Sequence, residues 1–424
     1  MSTRTHVLVV GAGFAGGMAA VRLAGRSRGR VAVTVVNPRP AFVNRLRLHR
    51  AAVGQQIPLP SLRRILGRDV TFVEGYVTSL DLAMGRATVA TDGDTTTIPF
   101  DRVVLATGSS TEPVPVPGGE HAYAVGDLES ARRLRPAFSA LPEGAHVAVV
   151  GGGFTGLETV AELAEARPDL RTSLVTAGDV GGWFNERGHA HVAGTLARLG
   201  VATADNVRVQ AIEPHRLLLA DGGEVPSDLT VWCGGFAVPP LAREAGLAVD
   251  DQGAVLTDAS LQSVSHPQVL AVGDAGHTPT PAGGRYSMSC QFAFPSAAHA
   301  ADVLRAEALG IAPDGGHPAT LDLGFVGRSV SLGGHDGVFQ LTGRDDAAAD
   351  FSLTGRRAVA MKRIQLWSVE RATAWERRAP GMTRWPSAGG AASAGAPTAG
   401  TATGATTATA ASARPHPTEN RMAG

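Results

Sequence analysis

The chain has 424 residues, 44% of them hydrophobic, with 38 basic and 38 acidic side chains. That length is enough for more than one domain with well-formed cores, and a formal charge of zero argues against a chain built to bind nucleic acid. Two cysteines, Cys233 and Cys290, are too few and too far apart for a disulfide framework or a zinc cluster, so no metal site is expected.

In chain order, an apolar strand pattern, His6–Val10, starts almost at once, with no signal peptide ahead of it. Gly11-Ala12-Gly13-Phe14-Ala15-Gly16 follows and opens a helical pattern, FAGGMAAVRLAGR, before the next strand, Val31–Val36. This strand–glycine turn–helix order is that of a dinucleotide cradle. The first glycine permits the sharp turn, the second lets backbone approach a pyrophosphate, and the third lets helix and strand pack. Asn37 stands at the end of the second strand, where a side chain bonds a ribose hydroxyl; an acid is usual there, and an amide oxygen can accept the same bond. Arg45, Arg47 and His49 alternate in FVNRLRLHR and are expected to form a solvated basic face; contact with a cofactor is the rival reading, and Arg45 is carried as a candidate. Val103–Ala106 is another short strand, followed by Thr107 and Gly108, and residues 120–144 look like a passage between two sheets.

The second half repeats this order. Val147–Val150 is a strand, Gly151-Gly152-Gly153-Phe154-Thr155-Gly156 a second cradle, TGLETVAELAEA a helix and Thr172–Val175 a strand ending at Thr176. Neither an acid marking NADH nor an arginine marking NADPH follows it. Glu158 lies at the start of the helix, either beside a nicotinamide or as an acid favoured by the helix dipole. Thr230–Cys233, followed by Gly234, and Val269–Gly273 with Asp274 are later strand ends. Ser296–Ala308 reads as a helix, with Pro295 suited to its first turn. Two cradles imply two dinucleotides, with electrons passing between them.

Three further stretches, VVLATGSS, LTVWCGGF and VLAVGDAG, with the two cradles, resemble the pyridine nucleotide–disulfide oxidoreductase superfamily over about Met1 to Leu309. The resemblance implies an α/β fold in which a nicotinamide domain (116–235) is inserted between two segments (1–115 and 236–312) of an FAD domain, with Gly273 and Asp274 at the ribityl chain. It implies FAD and NADH or NADPH as cofactors. The redox cysteine pair of the disulfide reductases is missing from the residues after Asn37 and from the second cradle's helix. Cys290-Gln291-Phe-Ala293-Phe-Pro295 resembles the quinone-side pattern Ala-Gln-x-Ala-x-Gln of type II NADH dehydrogenases, with the last glutamine replaced. Gln291 and Glu158 are therefore the candidate catalytic residues and a quinone the expected acceptor. The rivals are a small redox protein, as in ferredoxin or rubredoxin reductases, and a slow nucleotide-sensing flavoprotein resembling apoptosis-inducing factor.

Residues 313–385 are expected to form a small α+β region. Its last part, RRAVAMKRIQLWSVERATAWERR, places Ile364, Trp367 and Trp375 on one helical stripe among Arg356, Arg357, Lys362, Arg363, Arg371, Arg377 and Arg378. Such a helix can lie on an anionic membrane or pack on the body, so the expected location is the cytoplasm or the inner face of the plasma membrane. Lys362 is the only lysine, which the codon usage of a GC-rich genome explains. Residues 386–424 are Ala/Gly/Thr/Ser/Pro-rich and expected to be disordered. The oligomeric state is left open.

Overall fold

The computed structural model describes residues 4–110, 113–281, 283–311 and 320–388. The expected disordered tail lies outside the described residues from position 389 on.

Five parallel strands make the first sheet, in the order Val269–Ala271, Arg102–Leu105, Thr5–Val10, Val31–Asn37, Val70–Glu74. Side chains alternate across it, so Val7 and Val9 face one way and Leu8 and Val10 the other. The first face is covered by the helices Phe14–Arg26 and Cys290–Leu309, through Met18, Ala20, Phe292 and Ala297. The second face packs on Val77 and Val89 of an antiparallel sheet, Tyr76–Asp81, Arg86–Thr91 and Asp94–Pro99, and on Phe100 just after it. Burial on both faces explains why these strands read as continuous apolar runs.

After Arg102–Leu105 the chain leaves this sheet and builds a second parallel one, in the order Ala202–Ala204, Arg171–Val175, His146–Val150, Leu229–Trp232, Ala122–Ala124. It then returns to place Val269–Ala271 at the edge of the first. The nicotinamide-type domain is thus inserted in the other, as expected. One face of the second sheet meets Leu157, Val160 and Leu163 of the helix Phe154–Ala166, together with Leu48 and Ala52 from the first half and Val330 and Val338 from the C-terminal region.

That C-terminal region is an antiparallel sheet, Gly327–Ser331, Gly337–Thr342 and Ala348–Thr354, followed by the helix Arg356–Arg378. Its buried Glu376 pairs with Arg22 Nη1 at 2.9 Å, while Arg22 Nη2 pairs with Asp302 at 2.6 Å. One ionic group therefore ties together three helices from the two ends of the chain.

One helix start differs from expectation. It begins at Cys290, with Ser289 as its N-cap, and Pro295 lies inside it. Pro295 has no N–H for the Gln291 carbonyl, yet the helix continues because its face is packed in the core.

Candidate active site

The two glycine turns are the same device built twice. Gly11 has φ +98°, and a Cβ there would lie 2.3 Å from the Ala106 carbonyl oxygen; one on Gly16 would lie 1.9 Å from the Gly11 oxygen. In the second turn Gly151 has φ +117° and a Cβ would stand 2.9 Å from the Gly234 nitrogen, while one on Gly156 would lie 1.6 Å from the Gly151 oxygen. A later strand closes each turn: the Ala106 N–H donates to Val10 (2.9 Å) and the Cys233 N–H to Val150 (2.8 Å). The middle glycines are different. A Cβ on Gly13 or Gly153 would meet nothing within 4 Å, and each caps its helix without a side-chain hydrogen bond. Each turn therefore offers an open helix N-terminus, which fits a bound pyrophosphate.

Around the first turn, the Ala12 N–H donates to Asn37 Oδ1 at 2.9 Å, and Asn37 Nδ2 donates to the Arg39 carbonyl. Asn37 thus stiffens the turn. Phe14 packs against Phe42 and Phe294, both with ring centroids at 5.4 Å. Ala15 abuts Gly273, whose N–H donates to the buried Ser296 Oγ at 3.0 Å. Asp274 accepts a 2.7 Å hydrogen bond from Ser109 Oγ, and Arg45 Nη1 is 3.5 Å from the same carboxylate. Arg45 passes beside Gly108 and over the Phe236 ring. So Ala106, Thr107, Gly108, Arg45, Gly273 and Asp274 come together, and Ser109, which sequence reasoning passed over within VVLATGSS, joins them. Around the second turn, the buried Thr176 sits against Gly152, and its Oγ1 is 3.4 Å from the Gly178 nitrogen. Half-buried Thr155 lies in the first turn of the helix, and the exposed Phe154 ring stands 4.1 Å from Trp183.

The two candidate catalytic residues are both engaged by protein. Gln291 Nε2 donates to the Gly327 carbonyl at 2.6 Å, and its Oε1 accepts from the Val326 N–H at 3.3 Å. It pins the C-terminal sheet to the start of its helix. Glu158 is buried, and its Oε1 accepts from Lys362 Nζ (2.9 Å), the Ser331 N–H (2.9 Å) and Ser331 Oγ (3.0 Å). Its Oε2 faces His49 Nδ1 at 3.6 Å. Burial alone would raise the Glu158 carboxyl, but Lys362, His49 and the Ser331 bond outweigh it and hold the pKa below its usual value. Burial drives His49 down to about 4 despite the facing carboxylate, and Lys362, Arg50 and Arg47 push the same way.

Two expectations are corrected here. Arg45, Arg47 and His49 are not a solvated basic face: His49 is buried, Arg47 pairs with Glu370 at 2.7 Å, and Arg45 reaches Asp274. The reason is that this segment runs as short helical turns, Arg45–Arg47 and Leu48–Ala52, wedged against the second sheet's core. Lys362 likewise leaves the outer basic face; it is 6% exposed and also donates to the Ser329 carbonyl at 3.0 Å. A lysine suits this spot because its compact ammonium can meet a carboxylate and a carbonyl in a narrow space. Both cysteines are free; Cys233 is buried against Thr159, with its thiol pushed up to about 12, and burial raises Cys290 too.

A family model described as pyridine nucleotide-disulphide oxidoreductase matches residues 5–300. The chain is similar to an NADH dehydrogenase-like protein of Mycobacterium tuberculosis, 31% identical over 320 residues, which is 70% of this chain and 79% of the relative. It is also similar to a demethylphylloquinone reductase of Synechocystis, 26% identical across 69% of this chain and 76% of that protein. Among solved structures, that of NDH2 from Plasmodium falciparum in complex with NADH superposes with a TM-score of 0.73 at 15% identity, covering 88% of this chain and 97% of that one.

Proposed function

The chain belongs to the pyridine nucleotide-disulphide oxidoreductase family, and from that premise we propose an FAD-dependent NAD(P)H oxidoreductase that passes electrons to a quinone without a redox-active disulfide. The observation that carries this is the pair of glycine turns, each sealed by a later strand and each open at its middle glycine. FAD, when bound, supplies a ring that accepts hydride from the nicotinamide and returns the electrons to an acceptor.

The chain's own residues bind, orient and neutralise. Gly11 to Gly16 would take the FAD pyrophosphate, with Asn37 at the ribose and Ala106, Thr107 and Gly108 lining the approach. Asp274, held by Ser109 and flanked by Arg45, is poised to accept from a ribityl hydroxyl. Gly151, Gly153, Phe154, Thr155 and Gly156 would hold the nicotinamide nucleotide, with Thr176 and Gly234 beside it; nothing at Thr176 selects between NADH and NADPH. The domain limits that go with this reading are 1–115 and 236–312 for FAD, 116–235 for the nicotinamide nucleotide and 313–385 for the C-terminal region. Gln291 and Glu158 act as positioning residues, clamping the C-terminal sheet over the reaction space.

Support for a quinone comes from the relative named as a demethylphylloquinone reductase and from the Cys290-Gln291 segment. Peripheral membrane contact is part of the same proposal. Glu370 and Glu376 turn inward onto Arg47 and Arg22. That leaves Arg356, Arg357, Arg363 and Arg371 outward, beside Ile364 (60% exposed) and Trp367 (49%). Trp367 is braced by Trp375 at 5.1 Å and by Arg371. A face that is basic and aromatic, with its acids withdrawn, suits an anionic surface. No helix among the described residues is long and apolar enough to cross a membrane.

The test is stopped-flow spectroscopy of purified protein. NADH or NADPH should bleach its yellow flavin and a water-soluble quinone should restore it. Protein that carries no flavin, or flavin that neither nucleotide bleaches, refutes the reading; reoxidation by ferredoxin and not by quinone replaces the acceptor.

A further inference from the structure

The chain leaves the first sheet after Arg102–Leu105 and comes back to it after Leu229–Trp232. The outgoing and returning connectors touch: the Ser110 N–H donates to the Ala237 carbonyl at 2.8 Å, and the Ala237 N–H to the Ser110 carbonyl at 2.9 Å. Arg45 lies against this crossing. Its guanidinium sits over the Phe236 ring of the returning connector, 5.8 Å from the centroid, and Nη1 donates to Ser109 Oγ of the outgoing one at 3.4 Å. Nη1 also faces Asp274 Oδ2 at 3.5 Å, while Nε donates to the Gly126 carbonyl at 3.1 Å. Gly126 belongs to the inserted domain, between its strand Ala122–Ala124 and the helix Leu128–Ser139. The short turn that carries Arg45 is itself fixed, since Asn44 Nδ2 and Arg47 Nε donate to the same oxygen of Glu370, at 2.9 and 2.7 Å. One side chain thus touches both connectors, the inserted domain and the carboxylate assigned above to the ribityl chain.

We propose that Arg45 is a positioning residue for hydride transfer, setting the angle of the inserted domain so that the nicotinamide meets the flavin ring in register. This rests on the reading above that the first turn holds FAD and the second NAD(P)H. Hydride passes only between atoms held at about 3–3.5 Å and aligned. The two nucleotides are carried by different sheets, so the angle between the sheets decides that register. The apolar contacts of Leu48 and Ala52 with the second sheet's core hold the halves together, but such burial is non-directional. A planar guanidinium is directional: with Gly126 on Nε and with Ser109 and Asp274 at Nη1, its fork allows one orientation of the inserted domain. As an ion pair alone the contact is weak, because Arg45 is 32% exposed and 3.5 Å from Asp274. Its reach across the crossing is what distinguishes it. Lysine would keep the charge beside Asp274 but brings a single donor atom where arginine brings separate nitrogens.

The test uses full-length flavin-loaded protein and the variants Arg45→Gln and Arg45→Lys, with rates taken per bound flavin. If Arg45→Gln loses its flavin, Arg45→Lys, which keeps the charge, carries the test. In both variants bleaching at saturating NAD(P)H should slow about a hundredfold, which is what a misplacement of about 1 Å costs. The nucleotide concentration that gives half the limiting rate should stay the same, because neither variant touches the second turn. Reoxidation of the reduced flavin by quinone should also keep its rate. The long-wavelength charge-transfer absorbance between bound nicotinamide and flavin should weaken in step with the bleaching rate. A further readout needs no turnover: the Ser110 and Ala237 amides should exchange hydrogen about tenfold faster in both variants than in wild type. Full bleaching in Arg45→Lys overturns the proposal, since charge beside the flavin would then suffice. Unchanged bleaching in Arg45→Gln overturns it, as does slowed bleaching with both connector amides still protected, or equal slowing of bleaching and reoxidation. Failure of NAD(P)H to bleach the wild-type flavin instead defeats the redox reading, and is seen before any variant is made.

Discussion

Replacing His49 with glutamine should flatten the acid side of the stability profile. His49 is buried neutral, with a folded pKa of about 4 against an ordinary 6.5. The unfolded chain therefore binds a proton that the folded chain refuses throughout that window. Stability from the neutral imidazole is fully present above 6.5 and is lost as pH falls toward 4. The gap of 6.5 to about 4 corresponds to about 3 kcal/mol at about 1.4 kcal/mol per unit. The full value applies because the side chain is shielded from solvent. Glu158 does not mask the effect: its folded pKa is depressed, so its own contribution is lost below the ordinary carboxylate value of 4.5. Urea unfolding followed by tryptophan fluorescence, at several pH values across this range, gives both profiles. The variant also loses packing, but that offset is the same at every pH, so the slope decides. Wild type and variant losing stability in parallel on acidification would refute the assignment of a buried neutral imidazole.

Other substitutions probe the remaining features. Gly16→Ala drives a Cβ to 1.9 Å from the Gly11 oxygen and should abolish folding of the FAD domain, whereas Gly13→Ala meets nothing and should fold normally yet weaken FAD retention at least tenfold, checked by thermal melting and flavin dialysis. Lys362→Met strands the Glu158 carboxylate and should cost about 3–5 kcal/mol in chemical denaturation. Lys362→Met combined with Glu158→Gln should recover most of that loss, the mark of a coupled pair. Replacing Ile364 and Trp367 with serine should leave soluble-quinone turnover intact and remove cosedimentation with anionic vesicles, since both side chains face solvent.

The parts legible in the sequence are those whose constraint is local. A turn that needs φ +98° at Gly11 or +117° at Gly151 must write its glycines next to one another, between a strand and a helix. Two parallel sheets with an inserted domain follow from that order written twice. The roles of Glu158, His49 and Lys362 were not legible, because their partners lie far along the chain: Ser331 is 173 residues from Glu158. FVNRLRLHR reads as a basic surface because alternation says which residues share a face and nothing about which face is covered. In sequence Glu376 is one more charge on a basic helix; Arg22, 354 positions away, withdraws it from solvent and so sharpens the charge of the outer face. One trace of the hidden cluster did stand in the composition. Among 38 basic residues a single lysine survives, and codon usage explains why the others are arginine without explaining the exception. Lys362 is buried where an ammonium meets Glu158 and a backbone carbonyl, and a guanidinium there would have to place five donors in a space that satisfies fewer. The physical requirement of that one site outweighs the bias that shaped the other basic positions, so Lys362→Arg should be the more damaging change than any arginine-to-lysine exchange on the outer face of the same helix.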